Sequence, residues 1–157
     1  MEDLAKLSDG VTLREAVPDD LPDVVAMLAA DQLGVHRESA DDVEPYRAAF
    51  AAITADPAHL LVVADDGARV VGTMQLSFIP GLARKGALRA QIEAVRVHED
   101  VRSRGLGGQM IGWAIEEARH RGCALVQLTT DKRRTDAHRF YERLGFVASH
   151  EGMKLAL

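Results

Sequence analysis

A strand-like run turns through basic and glycine residues directly into a helix-like run at residues 95–108, which read Val95-Arg96-Val97-His98-Glu99-Asp100-Val101-Arg102-Ser103-Arg104-Gly105-Leu106-Gly107-Gly108. Glycines let the backbone curl until several N–H groups point at one anion, and the N-terminus of the following helix adds partial positive charge. This order of elements predicts a binding site for a phosphorylated ligand.

The residues after the glycines exclude two other phosphate-binding loops. A P-loop needs Lys-Ser or Lys-Thr after its last glycine, whereas Gly107 is followed by Gly108 and Gln109. The dinucleotide fingerprint Gly-x-Gly-x-x-Gly fails because Met110 stands at the place of its third glycine. What remains is Arg102-x-x-Gly105-x-Gly107, which resembles the pyrophosphate-binding motif of the GNAT superfamily of acyl-CoA-dependent N-acetyltransferases.

The resemblance to the GNAT superfamily continues downstream of the loop. The apolar run 122–130 is similar to the family's next strand, and the segment 137–146 is similar to its tyrosine-bearing helix with a Leu-Gly-Phe ending. The similarity covers residues 60–157 well, and the first third of the chain only in its pattern of elements. Arg134 departs from the family, which often has Asn at that place.

Composition favours one soluble globular domain. The chain has 157 residues, 47% of them hydrophobic, which is enough for a single core. A formal net charge of −5 gives no electrostatic reason to expect nucleic-acid binding. Cys123 is the single cysteine, and no run is long and apolar enough to cross a bilayer. We expect a cytoplasmic protein with one domain over residues 1–157, in which residues 1–10 form a flexible leader.

Apolar spacing predicts alternating strands and helices. Strand patterns occupy residues 11–17, 60–64, 70–78, 87–97 and 122–130, and helical patterns occupy residues 21–29, the region of 46–53, a run from about 105 that Gly122 ends, and 137–144. The resemblance implies a single-domain α/β (α+β) GNAT fold, with a mixed, mostly antiparallel sheet of about six to seven strands and about four flanking helices on both sides.

Acetyl transfer to an amine needs a base, because an alkylammonium has a pKa near ~10 and only the neutral amine attacks. Glu93 is the candidate, since it lies in the strand that leads to the glycine loop. Gln91 shares its face of that strand and is a candidate to orient the same amine or a water. The alternative is an ordinary solvated or salt-bridged strand glutamate.

Tyr141 is the second catalytic candidate. It follows Ala137 and Phe140 and precedes Leu144 at helical spacing, so its ring lies on or beside a buried stripe and its hydroxyl needs a partner. A structural hydrogen bond or a positioning role would satisfy this. The resemblance implies a general acid that protonates the sulfur of the departing coenzyme A.

The resemblance implies acetyl-CoA as cosubstrate. Its pyrophosphate is expected on the backbone of the loop and first helical turn, with help from the two arginine side chains: Arg102, Ser103, Arg104, Gly105, Leu106, Gly107, Gly108 and Gln109. Its pantetheine amides are expected to pair with the backbone of Val95, Arg96 and Val97 as an added strand does, which requires a local splay from the next strand.

Several other polar residues favour ordinary interpretations. The six histidines lack metal-ligand spacing, so no metal site is predicted. The run 132–134 either meets the ribose phosphate of the cofactor or is a solvated charge run. A cluster of five acidic residues either favours a cationic acceptor or solubilises the start of a helix. These residues are Asp31, Glu38, Asp41, Asp42 and Glu44. Cys123 has no recognisable catalytic partner and is a poor nucleophile.

Together these features predict transfer of an acetyl group from acetyl-CoA to a primary amine of a small molecule or protein, by direct attack in a ternary complex. Two alternatives stay open: a catalytically silent acyl-CoA-binding module, and a transferase for a longer acyl-CoA. The acceptor-facing segments, about 30–46 and 79–88, hold no diagnostic motif. The resemblance also suggests a homodimer.

Overall fold

The computed structural model describes residues 3–31 and 34–157. Within them, six strands form one sheet in the order β1-β2-β3-β4-β5-β6, so strands adjacent in the chain are adjacent in the sheet. The strands are β1 (Asp3–Lys6), β2 (Thr12–Glu15), β3 (His59–Asp65), β4 (Val70–Ile79), β5 (Arg89–Val97) and β6 (Leu125–Leu128). The helices are α1 (Leu21–Ala29), α2 (Glu44–Thr54), α3 (Ala83–Gly86), α4 (Leu106–His120) and α5 (Thr135–Arg143).

The sheet is mixed and mostly antiparallel, as predicted. Strands β1 to β5 pair antiparallel in succession. Beyond β5 the direction changes: the Ala124 N–H donates to the Leu88 carbonyl, and the Gln127 side chain bonds to Gln91. The residue numbers of the two contacts increase in the same direction on both strands, so β5 and β6 are parallel neighbours.

The beginning of the chain differs from the expected leader. Residues 3–6 form β1 and pair with β2, with Ala5 opposite Leu13 and Lys6 opposite Thr12. Without β1, the free side of β2 would present unpaired backbone N–H and C=O groups, so this short strand covers a sheet edge. The first two residues of the expected leader lie outside the described residues.

The two faces of the sheet carry different helices. Val63 of β3 packs with Phe50 of α2 and Val24 of α1 on one face. Its neighbour Ala64 points to the other face, where α4 lies so close that a methyl group on Gly72 would meet the Met110 sulfur at 2.9 Å. Helices therefore cover both faces, as predicted, and glycine at position 72 permits the close approach of α4.

Packing divides the chain into two compact units, one ending at Gln127 and the other running from Leu128 to Leu157. The first unit holds the sheet and α1 to α4. The second holds α5 and the C-terminal segment.

Candidate active site

A bulge interrupts β5 just before the glycine loop. Thr73 pairs with Arg96 and Gln75 pairs with Glu93, so two residues of β5 stand opposite the single residue between Thr73 and Gln75. Ala94 accommodates the extra residue with φ at +54°, which is rare for a side chain other than glycine. Bulges bend a strand and redirect its side chains, so β5 changes course immediately after Glu93.

Glu93 lies at the last regular position before this bulge. The pairing of β5 with β4 is unbroken from Arg89 to Glu93, and Ile92 between them points into the core. Glu93 is exposed and makes no ion pair or hydrogen bond within the described residues. The salt-bridged alternative therefore has no support in this part of the chain, and the carboxylate is accessible to a ligand.

Gln91 points to the same face as Glu93 and is held by β6. The Gln127 amide donates through Nε2 to Oε1 of Gln91 at 2.7 Å. This bond orients the Gln91 amide and leaves its own N–H groups available to a water or ligand. Gln127 was not a candidate from sequence reasoning, although a polar side chain inside an apolar strand was a signal for it.

The glycine loop presents a row of backbone donors. The N–H groups of residues 103–108 have no hydrogen-bond acceptor within the described residues. Ser103 and Gly105 adopt positive φ of 65° and 79°, and α4 starts at the next residue without a side-chain cap. Successive donors in such a turn, followed by a helix N-terminus, form a cradle for an anion.

The side chains of the loop leave this cradle open. Leu106 is buried and anchors the loop against the core. Arg102 and Arg104 are exposed, and Nε of Arg102 donates back to the Val97 carbonyl at 3.0 Å. A methyl group added to Gly108 would find no atom within 4 Å. The space beside the first helical turn is therefore free for a ligand.

Gln109, which is expected among the cofactor-binding residues, makes hydrogen bonds within the chain. Its backbone N–H donates to the Gly105 carbonyl as the first intrahelical bond of α4. Its amide accepts from the Ser8 N–H at 2.9 Å and donates to the Ser8 hydroxyl at 2.6 Å. Its backbone N–H and one of its two amide N–H groups are thus used inside the chain, where Gln109 ties the N-terminal segment to α4.

Arg96 uses its side chain structurally. Its Nη2 lies 3.0 Å from Oδ2 of Asp31, just after α1. His98 is also structural, because its backbone N–H continues the ladder to the Val71 carbonyl and its ring accepts from the Asp100 N–H. Of the segment 95–97, only the backbone remains a candidate for binding pantetheine.

Tyr141 lies in the second unit, where the Leu-Gly-Phe ending fixes its ring. Gly145 has φ at +93°, the Phe146 N–H bonds to the Tyr141 carbonyl and the Gly145 N–H bonds to the Glu142 carbonyl. These are the two bonds of a Schellman cap, which ends α5. The Phe146 and Phe140 rings meet the Tyr141 ring edge-on at centroid distances of 5.8 and 5.1 Å. The motif thus holds the tyrosine ring.

The remaining charged candidates have partners of their own. Lys132 pairs with Glu151 at 2.7 Å and Arg133 with Asp131 at 2.9 Å, in agreement with a solvated charge run. In the acidic group, Glu38 accepts from the Tyr46 hydroxyl, and Glu44 pairs with Arg47.

Two further observations concern reactive groups and membranes. Burial raises the pKa of the Cys123 thiol, which disfavours the nucleophilic thiolate.

The described residues contain no cluster of three or more side chains able to hold a metal ion. Across residues 3–31 and 34–157, helices are too short or too polar to span a bilayer.

Comparison with known proteins identifies the family that shares this fold. The model of the acetyltransferase (GNAT) family matches residues 22–146. This covers most of the chain, and the protein belongs to the GNAT acetyltransferase family.

Similar proteins include named N-acetyltransferases. An aminoalkylphosphonate N-acetyltransferase of Salmonella typhimurium is 34% identical over 142 residues, covering 88% of this chain and 86% of that protein. Glucosamine 6-phosphate N-acetyltransferase 1 of rice is 35% identical over 121 residues, covering 71% of this chain and 68% of that protein. A Bacillus halodurans crystal structure described as a transcriptional regulator is 50% identical with a TM-score of 0.90, covering 94% of this chain and 99% of that one.

Proposed function

We propose that this protein transfers an acetyl group from acetyl-CoA to a primary amine. The observation that carries the proposal is the row of free backbone N–H groups at residues 103–108, which ends at the start of α4. Such a row suits a diphosphate, whose oxygens accept several hydrogen bonds at once. Family membership supplies the acyl-CoA.

The pantetheine arm is proposed to lie along the backbone of Val95, Arg96 and Val97. The bulge at Ala94 supports this, because it turns β5 away from its earlier course. Gln127 of β6 lies beside Gln91 of β5, so β6 pairs with the part of β5 that comes before the bulge. An extended amide chain would add to the free edge of β5 by main-chain hydrogen bonds.

In the proposed reaction, the Glu93 carboxylate accepts a proton from the ammonium, directly or through a water held by Gln91. The neutral nitrogen then attacks the thioester carbonyl, the N–C bond forms and the C–S bond breaks. The departing thiolate takes a proton from the Tyr141 hydroxyl. The nitrogen loses its second proton to solvent as it becomes the neutral amide, and solvent returns a proton to Tyr141 and removes one from Glu93. The accessibility of Glu93 and the fixed ring of Tyr141 support these two roles.

The acceptor is proposed to be a small amine that carries a phosphorus acid group. The relatives named for aminoalkylphosphonate and glucosamine 6-phosphate both act on amines with such a group. The two compounds differ in the rest of their structure. An amine together with a phosphonate or phosphate is therefore the chemistry that they share.

Release of coenzyme A thiol from acetyl-CoA tests the proposal. We expect release with 2-aminoethylphosphonate or glucosamine 6-phosphate and none without an amine. Glu93→Gln is expected to lower kcat by about 10²-fold near neutral pH, with partial recovery at alkaline pH where free amine is more abundant. Binding of acetyl-CoA without thiol release for any amine would instead indicate a silent acyl-CoA-binding module.

A further inference from the structure

Arg89, the first residue of β5, has one guanidinium N–H without a hydrogen-bond partner among the residues that the structure describes. Its Nε is buried and has no hydrogen-bond partner, and no carboxylate lies within ion-pair distance of the side chain, in both cases among the residues that the structure describes. Burying an N–H of a charged group without an acceptor is unfavourable. Because no carboxylate of the described residues neutralises this guanidinium, its charge is available to an anionic ligand.

The position of Arg89 relates it to the proposed base. Arg89, Gln91 and Glu93 alternate along an uninterrupted stretch of β5, so their side chains share one face of the sheet. At about 3.3 Å per residue, Arg89 and Glu93 are separated by about 13 Å along the strand. Both side chains are long enough to reach toward the ends of one small molecule lying along this row.

The surroundings of Arg89 are positive although the protein as a whole is acidic. Residues 79–92 include three cationic side chains, Arg84, Lys85 and Arg89, and no Asp or Glu, in a chain of net charge −5. Two of these cations, Arg84 and Lys85, follow each other in the β4–β5 loop, which contains the short α3, and their φ angles of 54° and 61° are not helical. The same loop passes close to Arg89, since a methyl group on Gly81 would lie 3.4 Å from its Nη1.

We infer that Arg89, flanked by the β4–β5 loop, is the subsite for the phosphonate or phosphate group of the acceptor amine. This inference rests on the proposed function, because it assigns the two ends of one acceptor: the amine to Glu93 and the anion to Arg89. A guanidinium binds a phosphorus oxyanion through two parallel hydrogen bonds, and the terminal Nη1 and Nη2 groups of Arg89 are the donors for such a fork.

Direct binding tests the subsite without requiring turnover. In isothermal titration calorimetry of the full chain with 2-aminoethylphosphonate, Arg89→Gln is expected to weaken binding by roughly tenfold to a hundredfold, the loss typical of charged hydrogen bonds. Arg89→Lys keeps the charge and loses the fork, so an intermediate loss is expected. Arg119→Gln is the matched control, since Arg119 is exposed on α4 and pairs with Glu116; its binding should equal that of the unaltered protein.

A series of related ligands separates the anion from the amine. β-Alanine and propylamine are expected to bind much more weakly than 2-aminoethylphosphonate, and Arg89→Gln should barely change the weak binding of propylamine. The inference is overturned if Arg89→Gln and the unaltered protein bind 2-aminoethylphosphonate equally, or if β-alanine binds as well. Absence of thiol release with every amine would contradict the proposed function, while the calorimetric comparison would still decide the subsite.

Discussion

Arg96 of β5 and Asp31 at the end of α1 form a largely buried ion pair. Their Nη2 and Oδ2 atoms are 3.0 Å apart, and the two side chains are only 14% and 11% exposed. The pair joins the segment after α1 to β5 two residues beyond the bulge. Asp31 therefore does not act as a free charge that attracts an acceptor; it fixes one wall of the candidate site.

Removing one partner of this pair should destabilise the fold. Asp31→Asn leaves the Arg96 charge buried without its counter-ion, and a loss of about 3 kcal/mol in the free energy of unfolding is expected. Urea denaturation measures it. Asp41→Asn, at an exposed acidic position of the same region, is the control and should change the free energy of unfolding by less than about 0.5 kcal/mol. Equal midpoints for the two variants would contradict a structural role for the pair.

Two glycines of α4 allow ligand binding to be separated from stability. A methyl group at Gly108 or at Gly112 meets no atom within 4 Å, so either alanine variant should gain about 0.5–1 kcal/mol of helix stability. Only Gly108 lies beside the cradle of free N–H groups. Gly108→Ala is expected to weaken acetyl-CoA binding by about tenfold, because its methyl group occupies space beside the N–H groups and lengthens their hydrogen bonds to the ligand, whereas Gly112→Ala should leave binding unchanged. Equal affinities in calorimetry would remove the cradle as the cofactor site.

The strongly periodic elements were predictable because local pattern and tertiary burial agree. Residues 21–29 form α1 over the predicted range. Helix α4 ends at His120, two residues before the predicted stop at Gly122, whose N–H bonds to the Arg119 carbonyl; the Cys123 N–H bonds to the Ala118 carbonyl. The Leu-Gly-Phe ending was recognisable for the same reason. A helix that ends with a residue of positive φ favours glycine at that position, so this ending is visible in the sequence.

The details of the site depend on partners distant in the chain, and local pattern does not record them. Ala94 carries no sequence signal for positive φ; its conformation follows from the pairing of β5 with β4. Gln109 was predicted to bind cofactor because it follows the glycines, yet its amide bonds to Ser8, which precedes it by 101 residues. Arg89 was overlooked because a single arginine at a strand start has many ordinary explanations.

Tyr141→Phe should affect chemistry without disturbing the helix. The substitution keeps the ring contacts with Phe140 and Phe146 and removes only the hydroxyl. If that hydroxyl protonates the thiolate, kcat falls by about 10²-fold while the Kd for acetyl-CoA stays within about twofold. Pre-steady-state thiol release and calorimetry give the two quantities. Unchanged kcat would leave Tyr141 with a positioning or packing role.

Acid should unfold the protein partly through Asp20. Burial acts to raise the pKa of Asp20, but two hydrogen bonds from Arg14, at 2.7 and 2.9 Å, and one from the Val17 N–H outweigh it and hold the pKa below its usual value. The unfolded chain therefore takes up this proton first as pH falls, near an ordinary aspartate pKa of about 3.9. The stabilisation is complete above that pH and is lost as pH falls further.

Thermal unfolding of the unaltered protein and of Asp20→Asn between pH 6 and pH 3 checks this prediction. The variant is expected to be less stable at pH 6, and the difference in Tm should narrow below about pH 4. A difference that stays constant over the whole range would mean that Asp20 does not contribute to the acid sensitivity.

The products of one incubation test the central claim most directly. With acetyl-CoA and 2-aminoethylphosphonate, mass spectrometry is expected to find one N-acetylated amine for each coenzyme A released, and Glu93→Gln should lower both together. Two results would contradict the account. One is release of coenzyme A with free acetate and no N-acetylated amine; the other is acetyl-CoA left intact with every phosphorylated amine tried.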